Sequence, residues 1–196
     1  GRRAFALFRV AQRVGAGRPP VRRYYGVMAF QMEGAAAPVQ APVPYKIPES
    51  VLVIIYRADG HVLLLRRTQP APEGQPFWQG VTGSKDFDGE DWRATAQREV
   101  AEETGIDARA PGCVLQDWAL QNTYTIYPHW LHRYAPGVWL NTERVFGLRV
   151  PADTDVVLNP REHTAFAWHD WREAADRCYS PSNAEAILHL PAYLTA

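Results

Sequence analysis

The 196-residue chain is long enough for one domain with a sizeable core, and its 46% hydrophobic and 21% charged content are those of an ordinary folded protein. Its zero formal net charge conceals an asymmetry: residues 1–45 hold seven arginines and one acid, Glu33, whereas residues 46–196 hold 14 Lys plus Arg against 20 Asp plus Glu. An acidic body speaks against a nucleic-acid partner, no apolar run reaches membrane-spanning length, and two distant cysteines, Cys113 and Cys178, exclude a disulfide framework or a metal knuckle and read as buried, reduced thiols of a cytoplasmic protein.

Residues 1–43 are rich in Arg, Ala, Pro and Gly and lack an apolar period, so a disordered extension is expected there. The methionines are Met28 and Met32. Translation from one of these, with an over-extended reading frame upstream, is the first expectation; an Arg-rich, acid-poor organellar transit segment is the second. The ordered domain is expected over 44–196. Ser50–Tyr56 is a β-branched run, turned by Ala58-Asp59-Gly60 into a second strand, His61–Arg67. Thr68–Pro76 is a Pro-rich loop, Phe77–Gly83 a short strand, and Glu90–Thr104 a helix. Further strands are expected at Cys113–Gln121, Thr123–Tyr127, Arg144–Val150 and Thr164–Trp168. Helices are expected at Trp171–Cys178 and Asn183–Leu190, the last capped by Ser182. Strands with interspersed helices predict an α/β fold, a mixed sheet with helices on its faces.

The chemistry concentrates between Gly83 and Ile106. Glu99, Glu102 and Glu103 stand at helical spacings of three and four, within one arc of the helix. Like charges so close destabilise a helix. Arg98, four before Glu102, offsets part of the repulsion, and a divalent cation that prefers hard oxygen would offset the rest. Gly105 stops the helix. The chain has no Gly-x-x-x-x-Gly-Lys-Ser/Thr phosphate loop, no Gly-x-Gly-x-x-Gly and no Gly-x-Ser-x-Gly. His129, His132, His163 and His169 form no zinc pattern and read as structural hydrogen-bonding residues. Lys46 and Arg67 have the chemistry to pair with phosphate oxygens. Thr82 and Ser180 offer hydroxyls, and Tyr124 and Tyr127 offer aromatic faces or phenols.

The run Arg98-Glu99-Val100-x-Glu102-Glu103-x-Gly105-Ile106, preceded by Gly83 and Glu90, resembles the Nudix hydrolase signature, with six residues instead of five between Gly83 and Glu90. Tyr45-Lys46, Phe77–Ser84, His132–Val138, Asn141–Glu143, Glu162–Trp168 and Ser180–Asn183 extend the likeness across Tyr45–Leu188, toward the bacterial subgroup that hydrolyses dihydroneopterin triphosphate in folate biosynthesis. The resemblance implies a Nudix fold, with a mixed β-sheet sandwiched between helices and a catalytic loop-helix-loop. It implies Mg²⁺ as cofactor, Mn²⁺ substituting, held by Glu99, Glu103 and Glu162, with Glu102 a further ligand or the group that deprotonates the attacking water. Glu99, Glu102 and Glu103 would be the catalytic residues. Substrate contacts would come from Lys46, Arg67, Thr82, Tyr124, Thr125, Ile126, Tyr127 and Ser180, while Gly83, Glu90, Arg98 and Gly105 would shape the motif. The reaction implied is water attack at phosphorus on a small-molecule triphosphate, leaving a monophosphate and pyrophosphate. Two alternatives stay open: a Nudix hydrolase of a dNTP or dinucleoside polyphosphate, and a binding module without catalysis.

Overall fold

The computed structural model describes residues 44–194; the expected extension over 1–43 and the question of translation from Met28 or Met32 lie outside the described residues. Strands β1 (Glu49–Arg57), β2 (His61–Arg67), β3 (Trp78–Gln79), β4 (Val81–Ser84), β5 (Val114–Thr125), β6 (Leu140–Val150) and β7 (His163–Asp170) form one seven-stranded sheet ordered β3-β2-β1-β6-β5. Off this path β4 pairs with β1, and β7 pairs with β2. β1 and β6 run parallel and the other pairs antiparallel. This is the mixed sheet that the alternation of strands and helices predicts.

The apolar run of β1 is buried on both sides because helices cover both faces of the sheet. Val51, Val53 and Ile55 pack with Ala96, Val100 and Ile106 of α1 (Trp92–Thr104) and its exit. Leu52, Ile54 and Tyr56 pack with Ala174 and Ala175 of α2 (Trp171–Arg177), Ala186 and Ile187 of α3 (Pro181–Leu188), and Leu190. Helix α1 thus owns one face and the C-terminal helices the other. No helix among the described residues is long and apolar enough to cross a membrane.

Several boundaries differ from expectation, each for a local reason. The two strands expected at Cys113–Gln121 and Thr123–Tyr127 are one, β5, which survives a register shift between Asp117 and Leu120 with Ala119 at φ 56°. β6 starts at Leu140, four residues before the β-branched run, because β5 is long enough to pair with it there. Pro128–Arg133, to which the sequence reading assigns no element, forms a 3-10 turn. Helix α1 starts at Trp92: Asp91 is its cap, accepting from the amides of Arg93 and Ala94. Helix α3 starts at Pro181, a residue suited to the first helical turn, so Ser180 takes the cap position expected of Ser182. Cys113 and Cys178 are free thiols, half-buried instead of buried.

Phe77–Gly83 divides into β3 and β4 at Gly80, whose amide leaves the sheet to donate to the buried Asn183 side chain of α3 at 2.8 Å. Asn183→Ala should therefore strand a buried amide and lower stability by about 1–3 kcal/mol. A fall in melting temperature of several degrees in a thermal scan is expected; an unchanged melt would mean that water replaces the bond.

Candidate active site

The loop into α1 is built around Arg98. Its guanidinium bonds both oxygens of Glu90 (3.2 and 3.1 Å), Glu99 Oε1 (2.8 Å) and the Ser84 carbonyl (3.0 Å), and also reaches Asp86. Burial alone would lower the Arg98 pKa, but the bonds to Glu90 and Glu99 prevail and raise it. Burial would raise Glu90, yet Arg98 and the Asp86 amide hold its carboxyl below the usual range. Glu90 is therefore a loop fastener. Between Ser84 and Glu90 the chain makes an exposed turn over Asp86–Gly89, with Gly89 at φ +82°. Just before the turn, Lys85 pairs with Glu49 and lies over the Trp92 ring. Gly105, at φ 70°, ends α1 by donating its amide to Ala101 O.

The three helix acids part company. Glu99 and Glu103 are buried, at 9% and 1% exposure, while the Glu102 side chain is 53% exposed and 3.5 Å from Arg98. Glu103 Oε2 lies 2.9 Å from His163 Nε2, and its other oxygen is buried without a hydrogen-bond partner among the described residues. His163 arrives because it pairs with Arg67 across β2 and β7. Ligand atoms of Glu103, Glu162 and His163 lie within 4.8 Å of one another. Sequence reasoning set His163 aside as structural; its place beside Glu162 is the one signal that could have drawn it in.

These acids are out of their ordinary range. Burial, then the charges of Glu103 and Glu102 against the counter-pull of Arg98, pushes Glu99 up to about 7. Burial and Glu162 push Glu103 up to about 8. Burial and Arg67 bring His163 down to about 4, a neutral imidazole. A partnerless buried oxygen, a cluster of hard-oxygen donors and acids that resist ionising together fit a divalent cation of the Mg²⁺ or Mn²⁺ class, with His163 orienting Glu103. The neutral His163 contributes stability that rises with pH between about 4 and 6.5, and the two acids contribute stability that falls with pH from about 4.5 to about 8. Above about pH 6.5 the His163 contribution is complete and the two acids still lose stability, so melts in chelator should move to lower temperature toward pH 8. Added Mg²⁺ should raise the melting temperature more at pH 8 than at pH 6.5; an equal effect at both would remove the cation from these acids.

Cations face the acids. Lys46 is half-buried, its pKa lowered by burial and Arg133 and raised by Glu99 and Glu162. Arg67 is lowered by burial, against the pull of Glu103 and Glu162, and its guanidinium carbon is 5.9 Å from the Phe77 ring and 5.8 Å from the Trp130 ring. Arg133, which accepts the Lys46 amide through its carbonyl, is a third cation missed in the sequence. An aromatic group follows: Phe77 and Tyr179 (4.4 Å), Tyr127 and Trp130 (5.4 Å).

The remaining candidates divide. Thr82 accepts from Gln79 Nε2 at 3.1 Å, and Ser180 Oγ lies 3.0 Å from Ser182 Oγ. Tyr127 joins the aromatic group, whereas the Tyr124 hydroxyl turns to Asn141 and Glu143. Thr125 is exposed. Ile126 is 3% exposed with its amide bonded to Trp139 O, so neither its side chain nor its N–H is free for a ligand.

The NUDIX domain family model matches residues 46–190. The Escherichia coli (strain K12) protein named dihydroneopterin triphosphate diphosphatase is 41% identical over 143 residues, 73% of this chain and 91% of that protein. The Haemophilus influenzae protein of the same name is 36% identical, over 73% and 87%. The solved structure of the E. coli dihydroneopterin triphosphate pyrophosphohydrolase superposes with a TM-score of 0.65 at 40% identity, covering 78% of this chain and 99% of that one.

Proposed function

The chain belongs to the NUDIX family, and from that premise we propose that it hydrolyses dihydroneopterin triphosphate to dihydroneopterin monophosphate and pyrophosphate with Mg²⁺ as its cation. The observation that carries the reaction class is the facing of two sets: Glu99, Glu103 and Glu162 on one side, Lys46 and Arg67 on the other. The 41% identity to the E. coli protein, across 91% of its length, supplies the substrate.

Glu99, Glu103 and Glu162 would hold the cation, His163 fixing the Glu103 carboxylate. When bound, the cation neutralises phosphate charge and acidifies the attacking water. Lys46 and Arg67 pair with phosphate oxygens and hold the chain in line for displacement. Phe77 and Trp130 both lie within 6 Å of the Arg67 guanidinium, which limits its excursions. Glu102, the exposed acid of the helix, is free to accept a proton from water. Water adds at the α-phosphorus, the bond to the bridging oxygen breaks, and pyrophosphate leaves.

The deciding experiment supplies dihydroneopterin triphosphate, dATP and diadenosine tetraphosphate with Mg²⁺, assaying pyrophosphate and orthophosphate separately. Pyrophosphate release with the pterin preferred is expected. Orthophosphate as first product would overturn the position of attack, and turnover restricted to the adenine nucleotides would overturn the substrate.

A further inference from the structure

On the sheet face opposite α1, five polar side chains meet where β1 and β6 begin and β5 ends. Ser50 pairs with Glu143 across β1 and β6; Asn122 pairs with Glu143, and Tyr124 with Asn141, across β5 and β6. Glu143 is 3% exposed. Its oxygens accept from Asn122 Nδ2 at 3.2 Å and from the Tyr124 hydroxyl at 3.4 Å, and the Ser182 hydroxyl faces it. Burial raises its pKa, and no cation is among the groups that act on it. Asn141, 2% exposed, is bonded at one end of its amide to Ser50 Oγ (2.6 Å) and the Tyr124 hydroxyl (3.1 Å). The other end has no partner among the described residues.

A buried carboxylate held by neutral donors alone is costly, and so is an amide with one end unsatisfied. Fold stability would be served as well by apolar side chains here. A run of neighbouring side chains links this cluster to Arg67. Arg67 lies by the Phe77 ring, Phe77 against Tyr179, and Ser180 next in the chain reaches Ser182 at 3.0 Å. A flat ring lying along that wall would have its phosphates at Arg67 and its far edge at Glu143.

We propose that Glu143, supported by Asn141 and the Tyr124 hydroxyl, is the specificity-determining acceptor for a heterocycle with two adjacent N–H donors, the 2-amino-4-oxo-pyrimidine edge common to pterin and guanine. The pterin form of this assignment rests on the function proposed above; the guanine edge gives it a test that does not. A carboxylate accepts two parallel N–H bonds from such an edge. Adenine and cytosine set a ring acceptor beside their amino group, and uracil flanks its single N–H with carbonyls, so each turns a lone pair toward the carboxylate.

The test is a selectivity ratio. Glu143→Gln is compared with the unaltered protein on dihydroneopterin triphosphate and dATP; the substituted amide offers one donor and one acceptor, the complement of an adenine edge. The ratio of kcat/KM for the pterin over dATP should fall about 100-fold, mainly through KM. An equal loss on both substrates would make Glu143 a structural residue and overturn the assignment. The unaltered protein is also compared on GTP and ITP, which differ by the 2-amino group. GTP should be preferred at least about tenfold, and equal handling would overturn the assignment whether or not the variant folds. If the pterin is untouched while GTP is preferred over ITP, the edge recognition stands and the proposed substrate falls. If the pterin is hydrolysed and Glu143→Gln leaves the ratio alone, the reverse holds.

Discussion

Glu103→Gln should lower kcat about 1000-fold or more while raising the melting temperature of the metal-free protein at pH 8. Both effects follow from one position. Glu103 is 1% exposed, its Oε2 meets His163 and its Oε1 has no hydrogen-bond partner among the described residues. Burial and Glu162 push its pKa up to about 8. In the unfolded chain the same carboxyl ionises near 4.5, so between those values the folded state carries the more protonated form and loses stability as pH rises. Gln matches Glu in shape, keeps an oxygen for His163 Nε2–H and abolishes the buried charge. The free oxygen becomes an amide nitrogen, which does not ligate a hard cation, and loss of several kcal/mol of transition-state stabilisation is a loss of that order in rate. The measurements are pyrophosphate release at saturating substrate and Mg²⁺, and thermal melts in chelator. Turnover within tenfold of the unaltered protein would take Glu103 out of the site. A lower melting temperature beside lost activity would reduce its role to packing.

Much of this was legible in local spacing, and the exceptions are instructive. A spacing of three and four puts Glu99, Glu102 and Glu103 in one arc, but at about 100° per residue Glu103 lies 40° to one side of Glu99 and Glu102 60° to the other. An arc that wide spans the buried edge of a helix and its solvent edge, which is how Glu103 came to be 1% exposed and the Glu102 side chain 53%. Arg98 and Glu90, eight apart, were both legible as residues that shape the motif because loop and helix are contiguous. His163 was not: it reaches Glu103, 60 residues away, through the antiparallel pairing of β2 and β7, which no periodicity within a single segment encodes. The Glu143 pocket is hidden for the same reason, being assembled by the registers of β1, β5 and β6. Ile126, a substrate contact that the family resemblance implies, has a buried side chain and an amide bonded to Trp139 O, which the sequence pattern of its expected strand did not show.

Gly83→Ala should leave the protein folded and cut kcat/KM about 100-fold or more. Gly83 sits on β4 opposite Val51, on the sheet face that meets α1. A Cβ there would stand 1.7 Å from Glu99 Cδ and 2.0 and 2.2 Å from its two oxygens, far inside any real contact. Something must move. β4 is held by four pairs to the buried strand β1, whereas the obstructing atoms are the far end of one side chain, so the Glu99 carboxylate swings away and the sheet stays. The displaced group gives up its 2.8 Å bond to Arg98 and its place beside Glu103. Because burial and neighbouring acids already push Glu99 up to about 7, releasing it toward solvent should leave the fold's stability within about 1 kcal/mol. A misplacement of an ångström or more at a ligand is severe for a reaction that depends on positioned charge. Gly89→Ala is the control: its Cβ would meet nothing within 4 Å, though φ +82° strains an alanine. That change should cost about 1 kcal/mol of stability and little activity. The pair separates two readings of the glycines around this loop. If Gly83→Ala keeps its rate, Glu99 is not where the cation sits. If both variants lose activity together with their melting transitions, the loop and not the carboxylate is what Gly83 protects.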